Sequence, residues 1–151
     1  MKEAEIPSEG PAFPSGGLTP HGPGFRFVDR FEYRDDQSGI AWKFLDPNAP
    51  YFRDHFPDQP VMPAVLIAEC AAQAAGILIM RGKDSPSDPL YLASIDQFRI
   101  YGAVYPDQTL ITQVTLDREF GPLAVVSVQC NVENRMVARG KLTLSRLLRG
   151  S

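Results

Sequence analysis

The sequence predicts an α+β fold in which one long antiparallel sheet wraps a single buried helix. Three observations predict it: a stretch after Pro63 that is apolar on every side, two-residue alternation of apolar and polar residues before and after it, and short turns between the last three alternating runs. The chain has 151 residues, 44% of them hydrophobic and 22% charged, which suits one ordinary domain with a real core. A formal charge of −3 gives no electrostatic footprint for nucleic acid, and none is expected as a partner.

Residues 1 to 24 are rich in Pro, Gly and Ser without periodicity and read as a tail or loosely wrapped arm. The first residues contain no apolar run of the kind a signal peptide needs. From Phe25, the apolar set Phe25, Phe27, Phe31 and Tyr33 alternates with Arg26, Val28, Arg30, Glu32 and Arg34, which predicts a strand. The turn formers Asp35 to Gly39 lead to a partner strand, Ile40 to Phe44. Residues 46–63 carry Pro47, Pro50, Pro57, Pro60 and Pro63, and no helix is expected through that spacing.

Beyond it, Val65 to Ile79 leaves no polar face, so this helix should be surrounded by protein. Pro63 suits its first position and Gly82 its stop. The stretch from Val61 to Met80 is about long enough to span a bilayer, but Glu69 and Gln73 lie in its middle. A charge there costs about 2.5–3.5 kcal/mol on insertion scales, and a buried helix in a water-soluble fold is the cheaper reading. Strands follow over Leu90–Ile100, Leu110–Asp117, Ala124–Val132 and Met136–Leu147, with turns at Gly121-Pro122 and Glu133-Asn134-Arg135. Cys70 and Cys130 each lie in apolar stretches; with two histidines in the chain, neither a disulfide framework nor a metal site is expected, and packed, reduced thiols in a cytoplasmic protein fit better.

Chemistry concentrates in residues 55–73, where the polar groups unusual for a core are an imidazole, a carboxyl and a carboxamide. Burial should push the pKa of Glu69 upward and leave it a proton donor, while His55 can act as a base near neutrality. Backbone N–H groups at Ala64-Val65 open the helix, where partial positive charge collects. A base, an acid and fixed donors are what β-elimination next to a carbonyl requires. The plainer readings stand beside this one: a buried glutamate is also found as a satisfied group in a polar network, and a histidine in a proline-rich loop as a turn or packing residue.

The string His55-Phe56-Pro57-Asp58-Gln59-Pro60-Val61-Met62-Pro63-Ala64-Val65-Leu66-Ile67-Ala68-Glu69-Cys70-Ala71-Ala72-Gln73 resembles, without a gap, the active-site signature of the β-hydroxyacyl-ACP dehydratases of the FabZ type. Pro20-His21 and Phe25 to Arg30 resemble the family's opening Pro-His-Arg-Tyr-Pro-Phe-Leu-Leu-Val-Asp-Arg, and Ile95 to Leu110 aligns with the strand and loop after its helix. The resemblance covers roughly residues 18–147, leaving residues 1–17 as a flexible N-terminal tail and 148–151 as a C-terminal one. It implies a hot-dog fold and a homodimer with the active site at the interface, assembly into hexamers being left open. His55 would be the base of one protomer and Glu69 the acid of the other. The carbonyl of Val61 would hold the His55 ring, the N–H of Ala64 would polarise the thioester, and Gln73, one turn past Glu69, would orient that carboxyl. The substrate would be carried by acyl-carrier-protein or coenzyme A, and no cofactor or metal is implied. Glutamate rather than aspartate at position 69 resembles the plain dehydratase more than the relatives that also isomerise the double bond.

Departures from the pattern are Asp54 for a glycine before the histidine, Ala64 for a glycine, Tyr101-Gly102-Ala103 for two basic residues and a proline, and Pro106-Asp107-Gln108 for Pro-Gly-Asp. His21 occupies a family position but, beside Gly22-Pro23-Gly24, reads as structural. The alternatives to dehydration are a hot-dog thioesterase and a non-catalytic acyl-binding or dimerisation homologue.

Overall fold

In the computed structural model, residues 17–81 and 89–146 are described. The expected terminal tails (Gly17 aside), the helix stop at Gly82 and the last strand residue Leu147 lie outside them.

Two strands, β1 (Arg30–Asp35) and β2 (Ser38–Phe44), form an antiparallel hairpin. Strand β1 begins later than the alternation of aromatics suggests. Phe25 instead ends a short 3-10 turn (Pro23–Phe25) and is 47% exposed. The backbone of Phe25 and Phe27 bonds the side chain of Gln73 rather than a neighbouring strand, a partner that no local pattern announces. A five-residue helix, α1 (Pro50–Asp54), interrupts the proline-rich section expected to contain none. Pro50 occupies its first turn, where the missing N–H costs nothing, and the helix ends before Pro57.

Helix α2 (Ala64–Ile79) is the long central helix. Pro63 is its N-cap, not its first helical residue, with extended backbone at φ −56° and ψ 133°. From Ile67 onward nearly every position is buried, as an apolar-all-round helix requires. Ala71, Ala74 and Ala75 are completely inaccessible, and their small side chains let the sheet close tightly on the helix.

Four more strands complete the sheet: β3 (Tyr91–Ile100), β4 (Thr109–Phe120), β5 (Leu123–Val132) and β6 (Arg135–Ser145). The order across the sheet is β1-β2-β4-β5-β6-β3, and every neighbouring pair is antiparallel. The faces expected from alternation are the buried ones: Leu110, Thr112 and Val114 on β4, and Ala124, Val126, Val128, Cys130 and Val132 on β5. Gly121 takes φ +56° in the β4–β5 turn, a conformation glycine adopts without steric cost. Asp107, where the resembling family carries glycine, sits at φ +66°, one of the left-handed positions that aspartate tolerates.

Strand β3 lies at the edge and is largely exposed on both faces. A bulge between Asp96 and Arg99 lets Phe98 sit over Gly140 of β6, where an added Cβ would approach the Phe98 Cα to 2.6 Å.

Candidate active site

Helix α1 and the prolines after it deliver His55. It caps the C-terminus of α1, and its ring stacks on Phe56 with centroids 4.2 Å apart. His55 Nδ1 lies 2.9 Å from the carbonyl oxygen of Val61, and the Val61 N–H donates back to the His55 carbonyl at 2.8 Å. A carbonyl only accepts, so Nδ1 carries the proton in this bond, and in the neutral ring the lone pair lies on Nε2. Asp54, which replaces the family's glycine, is exposed and pairs with Arg53 at 3.1 Å.

Ala64 is the first residue of α2 and, like Val65, is exposed. The helix's own bonds begin with the Leu66 N–H donating to Pro63 O, so the N–H groups of Ala64 and Val65 have no acceptor among the described residues. Ala64 is exposed, and the backbone donor a glycine would offer there is retained.

Five residues further along α2, Glu69 opens on a different surface. Its side chain keeps 25% of its surface, so it is less deeply buried in one chain than the sequence suggests. Gln73 is 4% exposed and fully engaged: its Nε2 donates to Glu69 Oε1 at 3.0 Å and to Phe25 O at 3.0 Å, while its Oε1 accepts from the Phe27 N–H at 2.9 Å. One carboxamide thus orients the Glu69 carboxyl and ties Phe25 and Phe27 to the helix, so that the segment before β1 lies across α2 as a strap. On that strap His21 faces the Glu69 carboxyl, its Nε2 3.7 Å from Glu69 Oε1. The turn formers around His21 give no sign of this contact in the sequence. His21, Glu69 and Gln73 share a cleft of about 590 Å³, counting its open mouth, whose inner wall is apolar: Ile77 and Met80 of α2, Leu90 and Leu92 at the start of β3, and Leu144 of β6.

Within one chain, the structure brings Glu69, Gln73 and His21 together, and separately His55, Val61 and the start of α2. His55 does not line the Glu69 cleft. Cys70 and Cys130 are free and buried, and burial pushes both thiols up, Cys130 to about 11. Among the described residues no cluster of metal-ligating side chains occurs, and no helix is long and apolar enough to cross a membrane.

Residues 19–141 match the model of the FabA-like domain family. The chain is 34% identical over 126 residues to a 3-hydroxyacyl-[acyl-carrier-protein] dehydratase FabZ of Streptococcus pyogenes, covering 83% of this chain and 91% of that one. It is 36% identical over 126 residues to the protein of the same name from Herpetosiphon aurantiacus, covering 83% and 89%. Among solved structures, a chain of the dehydratase heterocomplex ApeI:P from Xenorhabdus doucetiae superposes with a TM-score of 0.63 at 21% identity, covering 78% of this chain and 96% of that one. A mutant thioesterase from Pseudomonas aeruginosa gives 0.60 at 14%, covering 77% and 78%. At such identities these two speak for the fold alone, the hot-dog architecture, which dehydratases and thioesterases share.

Proposed function

The chain belongs to the FabA-like domain family and dehydrates 3-hydroxyacyl thioesters to 2-enoyl thioesters, and we propose that His55 is its base and Glu69 its acid. The observation that carries this assignment is the His55–Val61 bond, which ties the ring through Nδ1 to the segment that leads into α2 and leaves Nε2 to act as the base. A thioester carbonyl seated on the free N–H of Ala64 would be polarised by that donor and by the positive end of the helix. His55 Nε2 then removes the proton α to the carbonyl. The carboxyl of Glu69, steadied by Gln73, protonates the departing hydroxyl, and water leaves.

His55 and Glu69 occupy separate places in one chain, so the reaction needs a second protomer that sets the base of one copy against the acid of the other. The free edge of β3 supports this arrangement. It carries Tyr91, Leu92, Ile95 and Ile100, all more than a third exposed, on a strand with one side unpaired, a surface that proteins seldom leave bare. Leu90 and Leu92 also line the Glu69 cleft, so a copy joined along β3 arrives at its mouth. The acyl tail would follow the apolar wall toward Met80. The carrier in this reading is acyl-carrier-protein, with acyl-coenzyme A as its chemical equivalent, and the setting is the cytoplasm.

The test is to incubate the protein with a 3-hydroxyacyl thioester on each carrier and to follow enoyl absorbance and free thiol separately. Enoyl product without thiol is expected. Thiol release would instead mark a thioesterase, and neither signal would mark an acyl-binding homologue. His55→Ala and Glu69→Gln should each lower turnover at least a hundredfold, the scale of a lost general acid or base, with the thermal midpoint retained.

A further inference from the structure

We propose that His21 is the proton source that returns Glu69 to its acid form after each turnover. The inference rests on the assignment of Glu69 as the acid. One dehydration leaves the protein with two misplaced protons' worth of charge: His55 has gained the proton from the α-carbon, and Glu69 has lost one to the leaving water. His55 sheds its proton to solvent once product departs. Glu69 must be reprotonated, and one neighbouring side chain in its cleft can carry the proton in from solvent.

Of the described residues lining its cleft, only His21 and Glu69 titrate; the walls contributed by α2, β3 and β6 are otherwise apolar or amide. Gln73 donates to Glu69 but, as an amide, cannot supply a proton. Cys70 beside it is buried with its thiol pushed up and keeps its own proton. Arg26 stays charged and is engaged with the strap, its Nε donating to the carbonyl of His21 at 3.1 Å. His21 alone combines a ring N–H that can exchange its proton with proximity to the carboxyl and access to water, its side chain being 32% exposed.

The strap holds it in place: Arg26 anchors its carbonyl, Phe25 packs against its ring at 5.9 Å, and Gln73 fastens Phe25 and Phe27 to the helix. The 3.7 Å gap between His21 Nε2 and Glu69 Oε1 is longer than a hydrogen bond, as such pairs often are without substrate. In the relay, imidazolium N–H bonds break and carboxyl O–H bonds form at Glu69 Oε1. A half-turn about the soft Cγ–Cδ bond presents the acid to the next hydroxyl, and solvent reprotonates His21. No other reactant is needed. His21 is thus a positioning and proton-supplying residue acting through Glu69, not a group that touches substrate.

The test uses the full-length protein with a saturating 3-hydroxyacyl-coenzyme A. In His21→Gln and, as a second variant of different shape, His21→Asn, steady-state kcat at pH 8 should fall about tenfold with KM little changed. The deficit should grow as pH rises, because free protons can no longer substitute, and added imidazole should restore turnover in proportion to its concentration. Wild-type kcat in the folded variants overturns the proposal. So does a loss that imidazole does not relieve, which would make His21 a packing residue. If the unaltered protein forms no enoyl product, it is the dehydratase assignment that fails.

Discussion

Replacing Gln73 by leucine keeps the volume of a buried side chain and deletes three hydrogen bonds: from the Phe27 N–H, to Phe25 O and to Glu69 Oε1. Each is worth about 1 kcal/mol net. Two of the partners are backbone groups that lose their partner unless the strap lifts into water, and lifting exposes Phe27, which is 4% accessible. Either route costs about 3 kcal/mol. For a chain of this length that lowers the thermal midpoint by roughly 6–12 °C. Urea unfolding with an unchanged m value measures the loss, and hydrogen exchange at the Phe27 amide locates it, since that amide should pass from protected to exchanging. Turnover should fall with it, about tenfold, because Glu69 is no longer held. A variant within 0.5 kcal/mol of the parent, with the Phe27 amide still protected, would show that the carboxamide does not bind the strap and would refute the construction of the site.

Three further outcomes follow from the same structure. Burial holds the Cys130 thiol at about 11 against an ordinary 9.0, so the unfolded chain releases this proton first as pH rises. The stability contribution is complete below pH 9 and is lost between pH 9 and 11, amounting to about 2–3 kcal/mol. Urea midpoints at pH 8 and pH 10.5 should differ accordingly and differ less in Cys130→Ala; an identical slope in that variant would contradict the assignment. Gly140→Ala forces a methyl to within 2.6 Å of the Phe98 backbone and should cost about 1–3 kcal/mol while loosening β3, read by melting and by exchange at β3 amides. Ile95→Lys on the exposed edge strand should shift the protein toward monomer in sedimentation, with turnover falling in step; a fully active monomer would exclude an active site shared between copies.

Much of the fold was legible in the sequence because it is written in short-range periodicity. The alternation on β4 and β5 and the unbroken apolar run of α2 each report their own burial, and the sheet has little else to close upon. What periodicity misjudged were places where a residue's partner lies far along the chain. Phe25 to Phe27 alternate like a strand, yet their backbone is satisfied by Gln73, 46 to 48 positions away, so the ladder starts later. Pro50 reads as a helix breaker in a proline-rich run, but at a first turn it starts one, and that short helix is what presents His55. The site divides in the same way. The groups of residues 55–73 lie in one contiguous segment and announce their chemistry there. His21 sits among turn formers that account for its loop without reference to the helix. Its contact with Glu69 exists because the strap folds back over the helix, joining residues 48 apart in sequence where Gln73 fastens that strap. A histidine between prolines and glycines is therefore a weak signal by itself. The pairing of such a histidine with a helix carrying glutamate and glutamine four residues apart is the stronger one, because the glutamine supplies the means to hold the loop where the histidine can reach the acid.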